Sequence, residues 1–162
     1  MERIIIGVDP GLANTGYGIL SFFSNRFACL CYGCITTKAE DAHGKRLLHI
    51  YNELMDLIKE YKPQEAGIET LYFAKNVTSA LSVSEARGVA ILALSASGIF
   101  DVGEYAPNAI KKAVTGIAQA SKMQVQDATK LLLGLSKRPA PNHAADALAA
   151  AIAKVNIGVG YV

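Results

Sequence analysis

Asp9, Glu69, His143 and Asp146 are the residues whose types and spacing could do chemistry. Asp9 ends the apolar run Ile4-Ile5-Ile6-Gly7-Val8 and opens the turn signal Asp9-Pro10-Gly11. Glu69 ends a second short apolar run, Ala66-Gly67-Ile68, where an unpaired buried carboxylate would be costly. His143 and Asp146 stand three apart in the first turn of a final helix and so share one face. Each has an ordinary reading too. Asp9 suits an Asx-turn, Glu69 a solvent-facing strand end, and Asp146 the favourable dipole of a helix start. Together they say more. Three carboxylates within a few ångströms are unstable without cations. Carboxylates favour Mg²⁺ or Mn²⁺ over zinc, and two such ions about 4 Å apart suit in-line hydrolysis of a phosphodiester.

Positioning these groups requires strands and helices in a set order. Residues 4–8 read as a buried central strand, 16–23 as a second strand, and 27–37 as a third joined through a Ser24-Asn25 turn. Residues 43–61 carry Leu47, Leu48, Tyr51, Leu54, Leu57, Ile58 and Tyr61 at helical spacing, and Pro63 ends the helix. A strand over 66–70 follows, then a loop over 71–76. The helix over about 77–97 is rich in Ala, Ser and Gly, which suits packing on more than one side. Residues 99–105 read as a fifth strand. Pro107 opens a short helix, Ser121 caps another over 122–133, and Asn142 caps a last one over 143–155. Three consecutive strands and then alternating helices and strands make an α/β fold with an antiparallel lead-in.

Length and composition agree with one domain over residues 1–162, with an uncertain tail from about 156. At 51% hydrophobic residues the chain is not disordered. The apolar stretch Gly88–Phe100 has 13 residues, too few to cross a membrane. Met1-Glu2-Arg3 leads into no signal peptide, so a cytoplasmic protein is expected. The net charge of +2 is a cancellation: residues 1–81 carry −1 and residues 82–162 carry +3. Lys111, Lys112, Lys122, Lys130, Lys137 and Arg138 face only Asp127 between residues 105 and 145. That segment reads as a solvated helix face or as a polyanion-binding surface. Cys29, Cys31 and Cys34 are odd in number and lie in one strand, where Cys31 and Cys34 face opposite sides. Reduced thiols are expected, not a metal or redox pair.

Motif by motif, the chain resembles the RuvC-type Holliday junction resolvases of the ribonuclease H-like superfamily. The resemblance spans about residues 3–155. It rests on Ile6-Gly7-Val8-Asp9-Pro10-Gly11 with Thr15-Gly16-Tyr17-Gly18, and on Ile68-Glu69 with Phe73-Ala74-Lys75-Asn76, Ser79-Ala80-Leu81 and Ala86-Arg87-Gly88-Val89-Ala90. Further on it rests on Tyr105-Ala106-Pro107, Ile110-Lys111, Val114-Thr115-Gly116, Ser121-Lys122-Met123-Gln124-Val125 and His143-Ala144-Ala145-Asp146-Ala147-Leu148-Ala149. The resemblance implies a three-layer fold, with a five-stranded mixed sheet between helices on both faces. It implies metal binding and catalysis by Asp9, Glu69, His143 and Asp146, with two Mg²⁺ per subunit and Mn²⁺ as a substitute. One ion on Asp9 with His143 or Asp146 would activate water, and another on Asp9 and Glu69 would stabilise the leaving oxygen. The DNA-contact residues it implies are Tyr72, Phe73, Lys75, Arg87, Lys111, Lys112 and Lys122, with Tyr72 stacking on a base at the junction centre. It implies a homodimer through the helix after Glu69, and cooperation with a RuvA/RuvB-type branch-migration complex. Many members carry Asp at the position of His143. Histidine there is either a neutral ligand or a group that positions water.

Two other functions are compatible with parts of the sequence. A junction- or RNA-binding module without turnover needs only the basic segment and the aromatic loop. An actin-like or sugar-kinase phosphate-binding domain would use Asp9-x-Gly11 and Thr15-Gly16, but such proteins need two domains.

Overall fold

The computed structural model describes residues 1–70 and 77–158, with backbone alone for 77–79. Ten elements follow in chain order: β1 (Arg3–Asp9), β2 (Asn14–Phe23), β3 (Arg26–Thr36), α1 (His43–Tyr61), β4 (Glu65–Glu69), α2 (Val77–Ala96), β5 (Val102–Tyr105), α3 (Pro107–Thr115), α4 (Lys122–Leu132) and α5 (Asn142–Ile157). The strands form one sheet in the order β3-β2-β1-β4-β5. β1, β2 and β3 pair antiparallel, whereas β4 pairs parallel with β1 and β5. This is the expected mixed sheet with helices on both faces.

β1 is buried on both sides, as its unbroken β-branched run requires. Ile6 and Val8 join Ile68 in a core under α1 and α2, while Ile5 joins Leu20 and Leu148 in a core under α3, α4 and α5. On α1 the buried stripe is Ile50, Leu54 and Ile58. Leu48, expected on that stripe, is exposed instead. β5 begins at Val102, not at residue 99: Ile99 N donates to the Leu94 carbonyl and so closes the end of α2, and pairing with β4 starts only at Val102.

α5 lies against the sheet more closely than ordinary side chains allow. A Cβ on Gly7 would run into the Ala147 carbonyl, and one on Gly16 into the His143 carbonyl. Alanines at 144, 145, 147 and 149–151 supply the matching thin surface on the helix. The far end of α5 is held by charge. Lys154, 1% exposed, places Nζ 2.5 Å from Asp101 and 4.0 Å from Glu65. Arg3 holds Glu65 through two hydrogen bonds of 2.6 Å.

The three cysteines are free. A bulge opposite Ile19 and Leu20 turns Cys29 and Cys31 onto opposite cores, and burial pushes the Cys29 thiol up to about 11. No helix among the described residues is long and apolar enough to cross a membrane.

Candidate active site

Sheet register brings the first two carboxylates together. Val8 pairs with Ile68 across parallel strands, and both point into the core under α1 and α2. The pleat turns the next residues, Asp9 and Glu69, to the face that α5 covers. Asp9 is also the register partner of Gly16. Because Gly16 admits the His143 carbonyl, the start of α5 sits beside the end of β1.

α5 starts one residue earlier than the sequence suggested. Pro141 is its N-cap without a side-chain cap, and Asn142 instead accepts a hydrogen bond from Gln126 at 3.1 Å. Asp146 therefore lies in the second turn, and the first turn holds no acid. The helix dipole does not account for its placement.

All four expected residues sit on this face. His143 Nδ1 is 2.7 Å from Asp9 Oδ2. Asp9 and Glu69 lie close enough for each to act on the other's ionisation. Burial, then the charges of Asp9 and Asp146, push the Glu69 carboxyl up to about 8. Burial also raises Asp9, against the pull of His143. Asp146 is paired with Lys122 Nζ at 2.9 Å. Lys122 is placed there by a capping box at the start of α4: Gln124 N donates to Ser121 Oγ at 3.2 Å, and Ser121 N donates to Gln124 Oε1 at 2.8 Å.

Two adjoining hollows expose these groups. One, of about 190 Å³, is lined by Glu69, Asp146, Lys111, Lys122 and Pro107. The other, of about 300 Å³, is lined by Asp9, Glu69, His143, Thr70, Val83 and Pro107. Glu69 and Pro107 form the ridge between them. Three carboxyls and an imidazole are the donor set of a hard divalent cation. Among the described residues no three His, Cys, Asp or Glu side chains form a ready-made metal cage. Two of the acids are instead turned towards partners within the protein, Asp9 towards His143 and Asp146 towards Lys122. The residues fit divalent ions by donor type, and an ion on Asp146 would have to displace Lys122.

The expected DNA-contact residues divide into four groups. Lys111 and Lys122 line the first hollow. Lys112 is exposed in the last turn of α3. Arg87 is engaged elsewhere, in an ion pair with Glu104 of β5. Glu104 alternates with Tyr105, which packs under α5, so this pair sits on the sheet's other face. Tyr72, Phe73 and Lys75 lie outside the described residues, as does the tail over 159–162. The sequence reading did not single out Thr70, Val83 or a lining role for Pro107, because apolar and hydroxyl residues carry no chemical signal until a fold surrounds them.

The profile of the family described as crossover junction endodeoxyribonuclease RuvC matches residues 5–154. The chain belongs to the RuvC family. A RuvC of Treponema denticola is 66% identical over the whole of this chain and 91% of its own length. The structure of Thermus thermophilus RuvC in complex with a Holliday junction substrate is 26% identical and covers 96% of this chain and 94% of its own, with a TM-score of 0.91. The yeast mitochondrial Holliday junction resolvase Ydc2, 12% identical with a TM-score of 0.66, covers 92% of this chain and 77% of its own and shares the fold.

Proposed function

We propose that this chain is a structure-specific endonuclease that resolves four-way DNA junctions, in recombination and repair. It is a crossover junction endodeoxyribonuclease by family. One observation carries the mechanism. Asp9, Glu69, His143 and Asp146 meet on one face beside Lys111 and Lys122, so an acid cluster and two basic side chains that could receive a phosphate share one site.

Asp9, Glu69, Asp146 and His143 are the residues that would hold divalent ions, two Mg²⁺ per subunit in our reading, with Mn²⁺ as a substitute. Such ions supply Lewis-acid polarisation of the phosphate and a more acidic water. The chain's own part is placement. Asp9 orients the His143 ring through Nδ1, which leaves Nε2 for a ligand or a water. Glu69 lies between the two hollows and bears on both. Lys111 and Lys122 draw the phosphodiester backbone over the acids. The products would carry 5′-phosphate and 3′-hydroxyl ends.

Symmetrical nicking requires two sites, hence a homodimer. Leu81, Gly88 and Leu92 leave an exposed apolar stripe along α2, which supports a subunit contact there. We read residues 1–162 as one nuclease domain, working in the cytoplasm with a RuvA/RuvB-type branch-migration complex.

The test is purified Asp9→Asn protein on a synthetic four-way junction. It binds the junction and does not cut it. Cleavage at the wild-type rate would remove Asp9 from the mechanism. Junction binding that persists unchanged, with no cleavage by the wild type in Mg²⁺ or Mn²⁺, would favour a binding module without turnover.

A further inference from the structure

The two hollows around the acids continue into a third. It has a volume of about 360 Å³ and shares Val83 and His143 with the second. Its far side is formed by Gly11, Asn14 and Arg46. The three make one trough, with carboxylates in the middle and cationic side chains at each end. Lys111 and Lys122 occupy one end, and Arg46 the other.

Arg46 is held in place rather than free to wander. Its Nε donates to Thr37 Oγ1 at 2.8 Å, and that hydroxyl donates to the Leu12 carbonyl at 2.6 Å. Thr37 N donates to the Ala13 carbonyl at 3.0 Å. The guanidinium is thus fastened to the loop that follows Asp9. No carboxylate of the described residues forms an ion pair with it. Its two Nη groups remain as a planar fork of donors, the geometry that suits a phosphate. Asn14 stands in the same hollow. Its Oδ1 accepts from Thr36 Oγ1 at 3.3 Å and from the Cys34 thiol at 3.8 Å, which leaves its amide nitrogen as a second donor.

We propose that Arg46, with Asn14 beside it, is a second phosphate-binding site, for a backbone phosphate of the DNA strand that lies along the trough. The proposal rests on the nuclease reading and adds a residue to it. A strand held by Lys111 and Lys122 at one end and by Arg46 at the other is stretched across the acids. The phosphate to be cut then lies between two fixed neighbours. Arg46 binds a phosphate that does not react, so its contact is the same before and during the reaction.

The test compares full-length wild type, Arg46→Gln, Arg46→Lys and Asn14→Ala in junction binding without cleavage, in EDTA, over a series of KCl concentrations. Arg46→Gln lowers the slope of log affinity against log salt by about 0.9, the loss of one phosphate contact. It weakens binding roughly three- to tenfold near physiological salt. Arg46→Lys keeps most of the slope. In Mg²⁺, Arg46→Gln raises KM and leaves kcat within about twofold. Mg²⁺ affinity by calorimetry is unchanged, which separates this role from ligand placement. Asn14→Ala leaves the Arg46–Thr37 bond in place and weakens junction binding by a smaller factor, a second reading should Arg46→Gln fail to fold. Wild-type affinity and slope in the folded variants, with only a lowered melting temperature, would show Arg46 to be a tether and overturn the proposal. Failure of the wild type itself to bind junctions would instead overturn the nuclease reading.

Discussion

His143 Nδ1 lies 2.7 Å from Asp9 Oδ2, across 134 positions of sequence. The bond joins the first strand to the last helix at the centre of the acid cluster. It also fixes which ring nitrogen is available, since Nδ1 is engaged with Asp9. If the ring serves as a neutral ligand, a carboxylate can take its place. His143→Asp then retains junction cleavage in Mg²⁺, within about tenfold of wild type. Loss of all cleavage of a labelled junction in both Mg²⁺ and Mn²⁺ would show that the imidazole does something an acid cannot.

Glu69 gives the site a pH dependence whose sign follows from burial. Its folded value is about 8, against an ordinary carboxyl value of 4.5. A raised carboxyl contributes stability that is full below about pH 4.5 and is lost as pH rises through about 8. In EDTA the melting temperature contribution of this group therefore falls between those limits, and Asp9 adds in the same direction. Mg²⁺ restores it in the same window, because ion and proton compete for one carboxylate. Glu69→Gln melts about 2–4 °C higher than wild type in EDTA at pH 8, the change that about 1 kcal/mol makes in a chain of this size. Thermal melts with and without Mg²⁺ measure both effects. A flat difference across pH 5 to about 8 would contradict a Glu69 carboxyl raised by burial.

In the proposed site, Lys122 would compete with a bound cation for Asp146. The pair is 2.9 Å long and the lysine about half exposed, with 52% of its side chain accessible. Such pairs are worth about 0.2–1 kcal/mol. Lys122→Met should tighten Mg²⁺ binding without DNA by roughly 1.5- to fivefold, read by isothermal calorimetry. The same variant should bind a junction more weakly and with a shallower salt dependence. Lys111→Met is the comparison, since Lys111 lines the hollow without an ion pair to any described acid. Equal gains in Mg²⁺ affinity from both would mean that the general field matters and the specific pair does not.

Gly7 and Gly44 should respond oppositely to alanine. Gly7 faces the Ala147 carbonyl and the backbone of Ala151, neither of which can move aside cheaply. Gly7→Ala should cost at least about 1–3 kcal/mol and shift α5 from the sheet, so that junction cleavage falls as well. Gly44 on α1 meets nothing within 4 Å. Gly44→Ala should be neutral or stabilise by roughly 0.4–1 kcal/mol through the unfolded chain. Denaturant titration of the two proteins decides it.

Most of the elements were legible because their signals are local. Pro63 and Pro107 punctuate helices, Ser121 caps one, and unbroken β-branched runs mark central strands. The misjudged boundaries have physical causes. Ile99 looks like a strand residue yet is buried from a loop, and Phe100 beside it is exposed. Asn142 has the right side chain for a cap, but tertiary contact with Gln126 takes it. Lys154 carried no signal in the sequence, and only the fold buries it against Asp101 and Glu65. Arg46 gave no signal in the sequence, because Thr37 and the loop after Asp9 come beside it only in the fold.

By itself the sequence determined the family and the fold class, and it named the four candidate residues that the fold brings to one face, because each depends on residue type in a fixed order. The tertiary structure alone decided how those residues are balanced. Parallel register sets Asp9 beside Glu69, a glycine without a side chain lets His143 reach Asp9, and a capping box aims Lys122 at Asp146. Charge acts through distance and burial, and neither is written in the order of residues. For the same reason, the trough that runs from Lys111 to Arg46 exists only once the strands, α1 and α5 are packed together.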